Sequence, residues 1–352
     1  MRPTIKDIAK QVGVSPNTVS RALSGKGRVA PETRRRVVEA AESVHYLRNQ
    51  SARALSRRPL RVAAVYPVDP HEFYSHIARG IAEQAEAMAD RRCAVTMHSY
   101  PSIETPVALR QVLASLLEEK PDGLILTCAH RYEEYGEILE QYSQAGIPVV
   151  YATIFGDMIA GVVGGVRTNT YAAGRIAAEF LGMVMPEKPD EPRRVAIMVG
   201  YANQLVYQEC VDGFTDQAGG TSVQIAAVME THGRADLAYE ATAQLFAGGG
   251  SVSGVYVASH NSVGVCQYLE DRGLAGKVRV IGHDLYPALC LKLRAGSLTA
   301  TIFQGQFDQA RDAVGLMVDH LDAGARPAGP VIRLVEPSLV LPSMIDSLRD
   351  YI

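Results

Sequence analysis

Nothing in the 352 residues is built to cross a membrane, because no apolar run approaches the roughly 20 residues that a transmembrane helix needs. No export leader is legible ahead of the first helical pattern, so the expectation is a cytoplasmic protein with no membrane partner. Cysteine is scarce and unpatterned. The five (Cys93, Cys128, Cys210, Cys266 and Cys290) are odd in number and share no metal spacing, so they read as free thiols of a reducing compartment. In His71-Glu72-Phe73-Tyr74-Ser75-His76 the second His stands one residue too far on to share a zinc-binding helical face with the first. No metal site and no cofactor is expected. Phosphate-cradling loops are missing too: neither Gly161–Gly165 nor Gly248–Gly250 fits a dinucleotide or Walker pattern, and both read as turns. With no convergent nucleophile, base or cofactor loop, the chain does not read as an enzyme. What remains, 47% hydrophobic and 21% charged, is ordinary for a soluble globular protein of two or three domains.

The most informative stretch runs from Thr4 to Ser24. Thr4 is placed to cap a first helix, with Asp7 returning the bond as a capping box. Gly13 stands where a helix stops in the left-handed conformation. Ser15 caps a second helix, and Pro16 takes its first position, where a missing N–H costs nothing. Ile8, Val12, Val19 and Leu23 supply the apolar faces. The pattern is a helix-turn-helix, whose second helix enters a major groove. Charge agrees. Residues 1–60 hold thirteen basic and four acidic residues, a net of +9, whereas residues 61–352 hold 22 and 34, a net of −12. A basic head on an acidic body is what phosphate contact and counterion release require.

Through residue 58 this stretch resembles the LacI/GalR family of bacterial transcription regulators. By that resemblance Pro16, Asn17 and Arg21 occupy base-contacting positions of the recognition helix; Asn suits adenine and Arg suits guanine. Thr4, Ser15, Thr18 and Ser20 fall near the backbone as phosphate ligands or caps. A third helix is expected from about Pro31 to His45-Tyr46, with Ala30 where the family usually offers a Ser cap. Asn49 to Ser56 looks like the family's hinge helix, in which Leu55 is the minor-groove wedge, Ala52 packs across the pair and Asn49 begins the element. Eight residues are too few to stay helical alone in water. The alternative is a plain linker.

From Leu60 onward, apolar runs alternate with amphipathic stretches. The runs that read as strands are Leu60–Tyr66, Ala94–His98, Gly123–Thr127, Pro148–Ala152, Val162–Val166, Val195–Gly200, Val223–Met229, Gly254–Ala258, Val278–Gly282 and Ala300–Phe303. Such alternation predicts parallel sheets wrapped by helices, and ten strands are more than one sheet holds comfortably. The expected fold class is an all-α helix-turn-helix head joined to an α/β body of two doubly wound parallel-sheet subdomains. The resemblance makes that body a ribose-binding-type (type I periplasmic-binding-protein-like) effector domain. The expected boundaries are 1–48 for the head, 49–59 for the hinge, 60–340 for the effector-binding and dimerisation domain and 341–352 for a tail too short for tetramerising heptads. Within the body the N-terminal subdomain is expected over about 60–164 and 291–322, and the C-terminal one over about 165–290 and 323–340.

Ligands of open α/β sheets bind beyond the carboxyl ends of the strands. The polar and aromatic residues expected there are Phe73, Tyr74, Thr127, Thr153, Asn169, Tyr201, Asn261, Asp284 and Gln304. By the resemblance, Asn261, Asp284 and Gln304 fall on ligand-contact positions, and Phe73-Tyr74 fall where a pair of aromatics sandwiches a sugar ring. Carboxylate, amide and aromatic face together suit a sugar, polyol or derivative. The bland alternatives are a strand-tying role for Asp284 and core packing for Phe73-Tyr74. Two departures stand out: Thr153-Ile154 replaces a common Asp-Arg pair, and Cys210 replaces an Arg. Arg167 and His283 are the candidates to compensate. The resemblance thus implies a ligand-responsive regulator, by the family's commoner sign a repressor. It would bind a palindromic double-stranded DNA operator as a homodimer, with a small effector between the subdomains. A solute-binding protein without regulatory role is the alternative.

Overall fold

A computed structural model describes residues 4–24, 29–43, 58–68, 73–101, 106–128, 132–153, 161–187, 191–247, 252–323 and 329–351. The head is three short helices, α1 (Ile5–Val12), α2 (Pro16–Ser24) and α3 (Pro31–Ser43). Its local signals work as the sequence predicts. Asp7 Oδ2 accepts from Thr4 N at 2.8 Å, and the Asp7 N–H donates back to Thr4 Oγ1 at 3.4 Å. Gly13 stops α1 at φ 74°. The Thr18 N–H donates to Ser15 Oγ at 3.1 Å at the start of α2. Ile8, Val12, Val19, Ala22, Val37, Ala40 and Ala41 bury one another in a small core, and Arg36 donates to Val12 O at 3.0 Å, tying α3 to the end of α1. The described part of α3 ends at Ser43; residues 44–46, expected to continue it, and the whole hinge segment 49–56 lie outside the described residues.

In the body every expected strand is present: β1 (Leu60–Val68), β2 (Cys93–Pro101), β3 (Gly123–Leu126), β4 (Val149–Ala152), β5 (Val162–Thr168), β6 (Arg193–Val199), β7 (Val223–Glu230), β8 (Gly254–Val257), β9 (Arg279–His283) and β10 (Ala300–Phe303). Two more follow, β11 (Val331–Val335) and β12 (Ser338–Val340). They build two six-stranded sheets, ordered β11-β5-β4-β3-β1-β2 and β12-β10-β9-β8-β6-β7. All pairings are parallel except β10 with β12. The helices are α4 (Phe73–Ala87), α5 (Val107–Glu119), α6 (Gly136–Gln144), α7 (Thr170–Val184), α8 (Leu205–Ala218), α9 (Ala235–Ala247), α10 (Ser262–Asp271), α11 (Pro287–Ala295) and α12 (Gln306–Ala323). Each sheet has two apolar clusters in its own subdomain; Val62, Ile125 and Met317 mark one in the first, Val255, Leu269 and Leu289 one in the second.

The expected subdomain limits need correction. β5 runs to Thr168 within the first sheet, so the first crossing falls after 168 rather than 164. Residues 291–303 belong to the second subdomain, because Leu293 packs in its core and β10 hydrogen-bonds to β9. β11 belongs to the first sheet, paired with β5, and only β12 returns to the second. Three crossings therefore join the subdomains, at Thr168–Thr170, Phe303–Gln306 and Val335–Ser338. Gly164 and Gly165 are strand residues rather than a turn. A Cβ on Gly164 would stand 2.3 Å from Val331 O, so only glycine lets β11 close on β5 there. The expected tail is not separate: Pro342–Tyr351 forms 3-10 turns whose Ile345 is buried in the second core.

Candidate functional site

On the head, α2 buries Val19 and Ala22 while Pro16, Asn17, Ser20 and Arg21 face outward. Asn17 and Arg21 are four residues apart, one helical turn, so their polar ends share a face. The hydroxyls of Thr4, Ser15 and Thr18 are engaged in caps, including Ser15 Oγ to Thr18 Oγ1 at 2.8 Å. The remaining predicted DNA contacts, Asn49, Ala52 and Leu55, lie outside the described residues.

In the body the two sheets repeat one strand order, differing only in the direction of the edge strand, and the repeat makes a matched pair of strand ends. Thr153 follows β4 and Asp284 follows β9. Each is a non-glycine residue in the left-handed region (φ 73° and 74°), each is buried, and each donates its N–H to the neighbouring strand (Val166 O and Ile302 O). Backbone of this kind costs on the order of 1–3 kcal/mol and persists where surrounding structure enforces it, often at ligand sites. Asp284 Oδ1 accepts from Gln304 Nε2 at 2.7 Å and Gln306 Nε2 at 2.6 Å. Burial pushes its carboxyl up to about 7 despite those two bonds. Gln304 and Gln306 sit on the second crossing, so the carboxylate is held by the segment that joins the subdomains. Gln309 extends the network, donating to Thr168 Oγ1 at 2.8 Å and Gln304 O at 2.7 Å, while Asn169 Nδ2 donates to Glu336 Oε1 at 3.0 Å across the first and third crossings.

The other predicted residues divide. Thr127 is fully buried after β3, and its Oγ1 has no hydrogen-bond partner; the same holds for Thr153 Oγ1. Phe73 and Tyr74 open α4 half-exposed, edge to face at 5.0 Å, and both pack on the first subdomain's core. Tyr201 is 38% exposed, 4.8 Å from the His232 ring. Asn169 caps α7 by accepting from Ala172 N at 3.1 Å. Asn261 is engaged internally, donating to Thr231 Oγ1 at 2.7 Å and Arg234 O at 3.1 Å and accepting from Ser259 Oγ.

Neither compensating cation is available. Arg167 forms a fork with Glu209 on α8, Nη1 to Oε2 at 2.5 Å and Nη2 to Oε1 at 2.7 Å, and Thr170 Oγ1 joins the same carboxylate. Burial raises the Glu209 carboxyl, but the bonds from Arg167 and Thr170 outweigh it and hold the group below its ordinary value. His283 lies in the core with Nε2 2.9 Å from Tyr256 Oη, and burial pushes it down to about 3, so it is neutral. Cys210 is a buried thiol pushed up to about 12 by burial, hence unreactive. Sequence reasoning did not single out Tyr207, which packs against the second subdomain's core with its hydroxyl 2.4 Å from where a Gly200 Cβ would be. It also missed Gln306 and Gln309; their only signal was the run Gln304-Gly305-Gln306-Phe307-Asp308-Gln309. Among the described residues no cluster of His, Cys, Asp or Glu has metal-binding geometry, and no helix is long and apolar enough to cross a membrane.

Comparison with known proteins follows the same division. Residues 4–49 match the family model described as bacterial regulatory proteins, lacI family, and residues 62–325 match that of a periplasmic binding protein domain. Catabolite control protein A of Staphylococcus epidermidis is 34% identical over 170 residues, 46% of this chain and 48% of that protein. The HTH-type transcriptional regulator DegA of Bacillus subtilis is 30% identical over 150 residues, 42% and 43% of the two chains. The chain thus spans about half the length of these curated relatives. Among solved structures, a glucose-galactose binding protein of Geobacillus stearothermophilus superposes with TM-score 0.69 at 21% identity, covering 82% of this chain and 99% of its own. A solute-binding protein of Agrobacterium vitis bound to α-D-tagatopyranose superposes with TM-score 0.72 at 17% identity, covering 83% and 99%. At these identities the likeness concerns the fold of the body.

Proposed function

The chain belongs to the lacI family of bacterial regulatory proteins, and from that premise we infer that it is a ligand-responsive, sequence-specific transcriptional regulator, in the repressor sense. The observation that carries this is the joining, in one chain, of an exposed Asn17–Arg21 face on a capped second helix to a body whose buried carboxylate hangs on a subdomain crossing. Two heads on a two-fold axis present their second helices to successive major grooves of an inverted-repeat operator, so the working unit is a homodimer acting in the cytoplasm. Asn17 and Arg21 read base edges, while the N-termini of α1 and α2 hold phosphates. Asn49, Ala52 and Leu55, which lie outside the described residues, are read as completing the DNA contact.

The effector is a small polyhydroxylated molecule, a sugar, polyol or derivative. Phe73 and Tyr74 offer a ring face, Thr127, Thr153, Asp284 and Gln304 the hydrogen bonds, and Tyr201 and Asn169 the shape of the rim, while Asn261, buried on Thr231, Arg234 and Ser259, braces the wall. An effector held by Asp284 shares that carboxylate with Gln304 and Gln306, so occupancy bears on the crossing that sets subdomain orientation. Coupling of about 1–3 kcal/mol changes operator affinity by roughly 5- to 150-fold. A transport protein with the same body has no use for a basic head.

The experiment is selection of bound duplexes from a random library with the purified full chain, followed by titration across salt concentrations. The reading expects an inverted repeat and a steep negative salt slope. Binding without sequence preference, or no binding, overturns it. A melting panel of sugars, polyols, sugar acids and sugar phosphates tests the cleft, where a ligand at 100 times its dissociation constant adds about 2.7 kcal/mol.

A further inference from the structure

The buried polar atoms around Asp284 are unevenly matched. In its ionised form the Asp284 carboxylate is, like Gln306 Oε1, an acceptor without a proton to give. Gln306 is 1% exposed, its amide nitrogen is turned to Asp284 Oδ1, and its Oε1 has no hydrogen-bond partner. Beside a carboxylate the amide must present its NH2 group, so the oxygen is the end left over. The Gln304 nitrogen is likewise engaged on Asp284. Among the described residues no lysine, arginine or histidine pairs with Asp284. Arg167 is bound by Glu209, Arg234 lies out on Asp236, and His283 is neutral against Tyr256. A buried carboxylate with amide partners but no counter-charge is costly, which its raised pKa registers.

A hydroxyl answers this site poorly, since it brings one donor, no charge and lone pairs of its own to satisfy. An ammonium group brings three donors, no acceptor and the missing charge. We propose that the effector carries a protonated amine, as an amino sugar or aminated polyol does, and that its ammonium group donates to the Asp284 carboxylate and to the unpartnered Gln306 Oε1. This rests on the reading of the cleft as the effector site and narrows it from polyols at large to cationic ones.

The test is calorimetric titration of the full chain at pH 7 with matched sets: pentoses, hexoses and cyclitols, each beside its amino-deoxy and N-acetylamino counterpart. The expected result is that the tightest binder is an amine. It should bind at least about tenfold tighter than its plain and acetylated partners, as a charged hydrogen bond warrants. Asp284→Asn should remove that advantage, and Gln306→Met should reduce it, in proteins whose circular dichroism matches the parent. Two variants keep the test open should one fail to fold. A plain or acetylated sugar as tightest binder, lost with Asp284→Asn, overturns the amine while leaving the cleft as sensor. An amine whose binding ignores both variants, or a panel with no binder, overturns both.

Discussion

Replacing Asp284 by Asn should make the unliganded protein more stable while abolishing its response to effector. The substitution keeps side-chain shape and keeps an oxygen facing the Gln304 and Gln306 amides. Asn also tolerates the left-handed backbone that this position imposes at φ 74°. The charge disappears and the second oxygen becomes an NH2 group. Burial raises the carboxyl from its ordinary 3.8 to about 7. Between those two values the unfolded chain is ionised and the folded one protonated, so folding loses stability as pH rises and the loss levels off above pH 7. At 1.36 kcal/mol per pH unit the accumulated cost is about 4 kcal/mol at pH 8 and under about 2 kcal/mol at pH 5. The variant should therefore melt higher at pH 8, by on the order of 10 °C, and the gap should narrow toward acid. Thermal melts of both proteins from pH 5 to pH 8 measure this directly. A gap independent of pH, or a variant that melts lower at pH 8, would refute the placement of an uncompensated carboxylate at this site.

Three further outcomes follow from contacts elsewhere. Gly174→Ala should destabilise the second subdomain, because its Cβ would stand 2.0 Å from Cys210 O where α7 crosses α8. Overpacking of about 1–3 kcal/mol exceeds the gain in helix propensity of up to about 1 kcal/mol, and a lowered melting temperature checks it. Glu209→Gln breaks the Arg167 fork, 13% and 22% exposed, at a cost of about 3 kcal/mol in denaturant titrations near neutral pH. Because the Glu209 carboxyl is held below its ordinary value, that difference should fade as pH drops through the carboxylate range. Asn17→Ala and Arg21→Ala should each lose about 1–3 kcal/mol of operator affinity and relax preference at one base pair per half-site, with the body's melt unmoved.

How far the fold was legible depends on how each element earns its burial. The ten recognised strands announce themselves because most are buried on both faces; β3, β4 and β8 are buried at every position. β11 was missed because it lies at a sheet edge with Val331, Ile332 and Leu334 substantially exposed, and β12 because it is three residues long. Misplacing the crossings follows from that omission, since β11 and β12 are what show the chain returning to each sheet. The described part of the head was legible almost entirely, because caps, Gly13 and Pro16 are local signals that need no tertiary partner. Asp284 and Gln304, which the structure joins by a hydrogen bond, were reachable from their positions after strands. Gln306 was not, although it stands two residues after Gln304 on the same crossing, because nothing in the sequence says which amides of that run turn to the carboxyl. Arg167 shows the opposite limit: as a charge near a strand end it suggested a ligand clamp, and only the structure reveals Glu209 already there.

The measurement that tests the central claim most directly is operator affinity of the full chain, by fluorescence anisotropy on a selected duplex, with and without a ligand bound at the cleft. One protein that reads DNA with its head and senses with its body should change affinity by roughly 5- to 150-fold, with the reciprocal change in ligand affinity on DNA. Asp284→Asn should bind the duplex yet show no ligand effect. Tight ligand binding that leaves operator affinity unchanged in the parent protein would contradict the account, because head and cleft would then be independent.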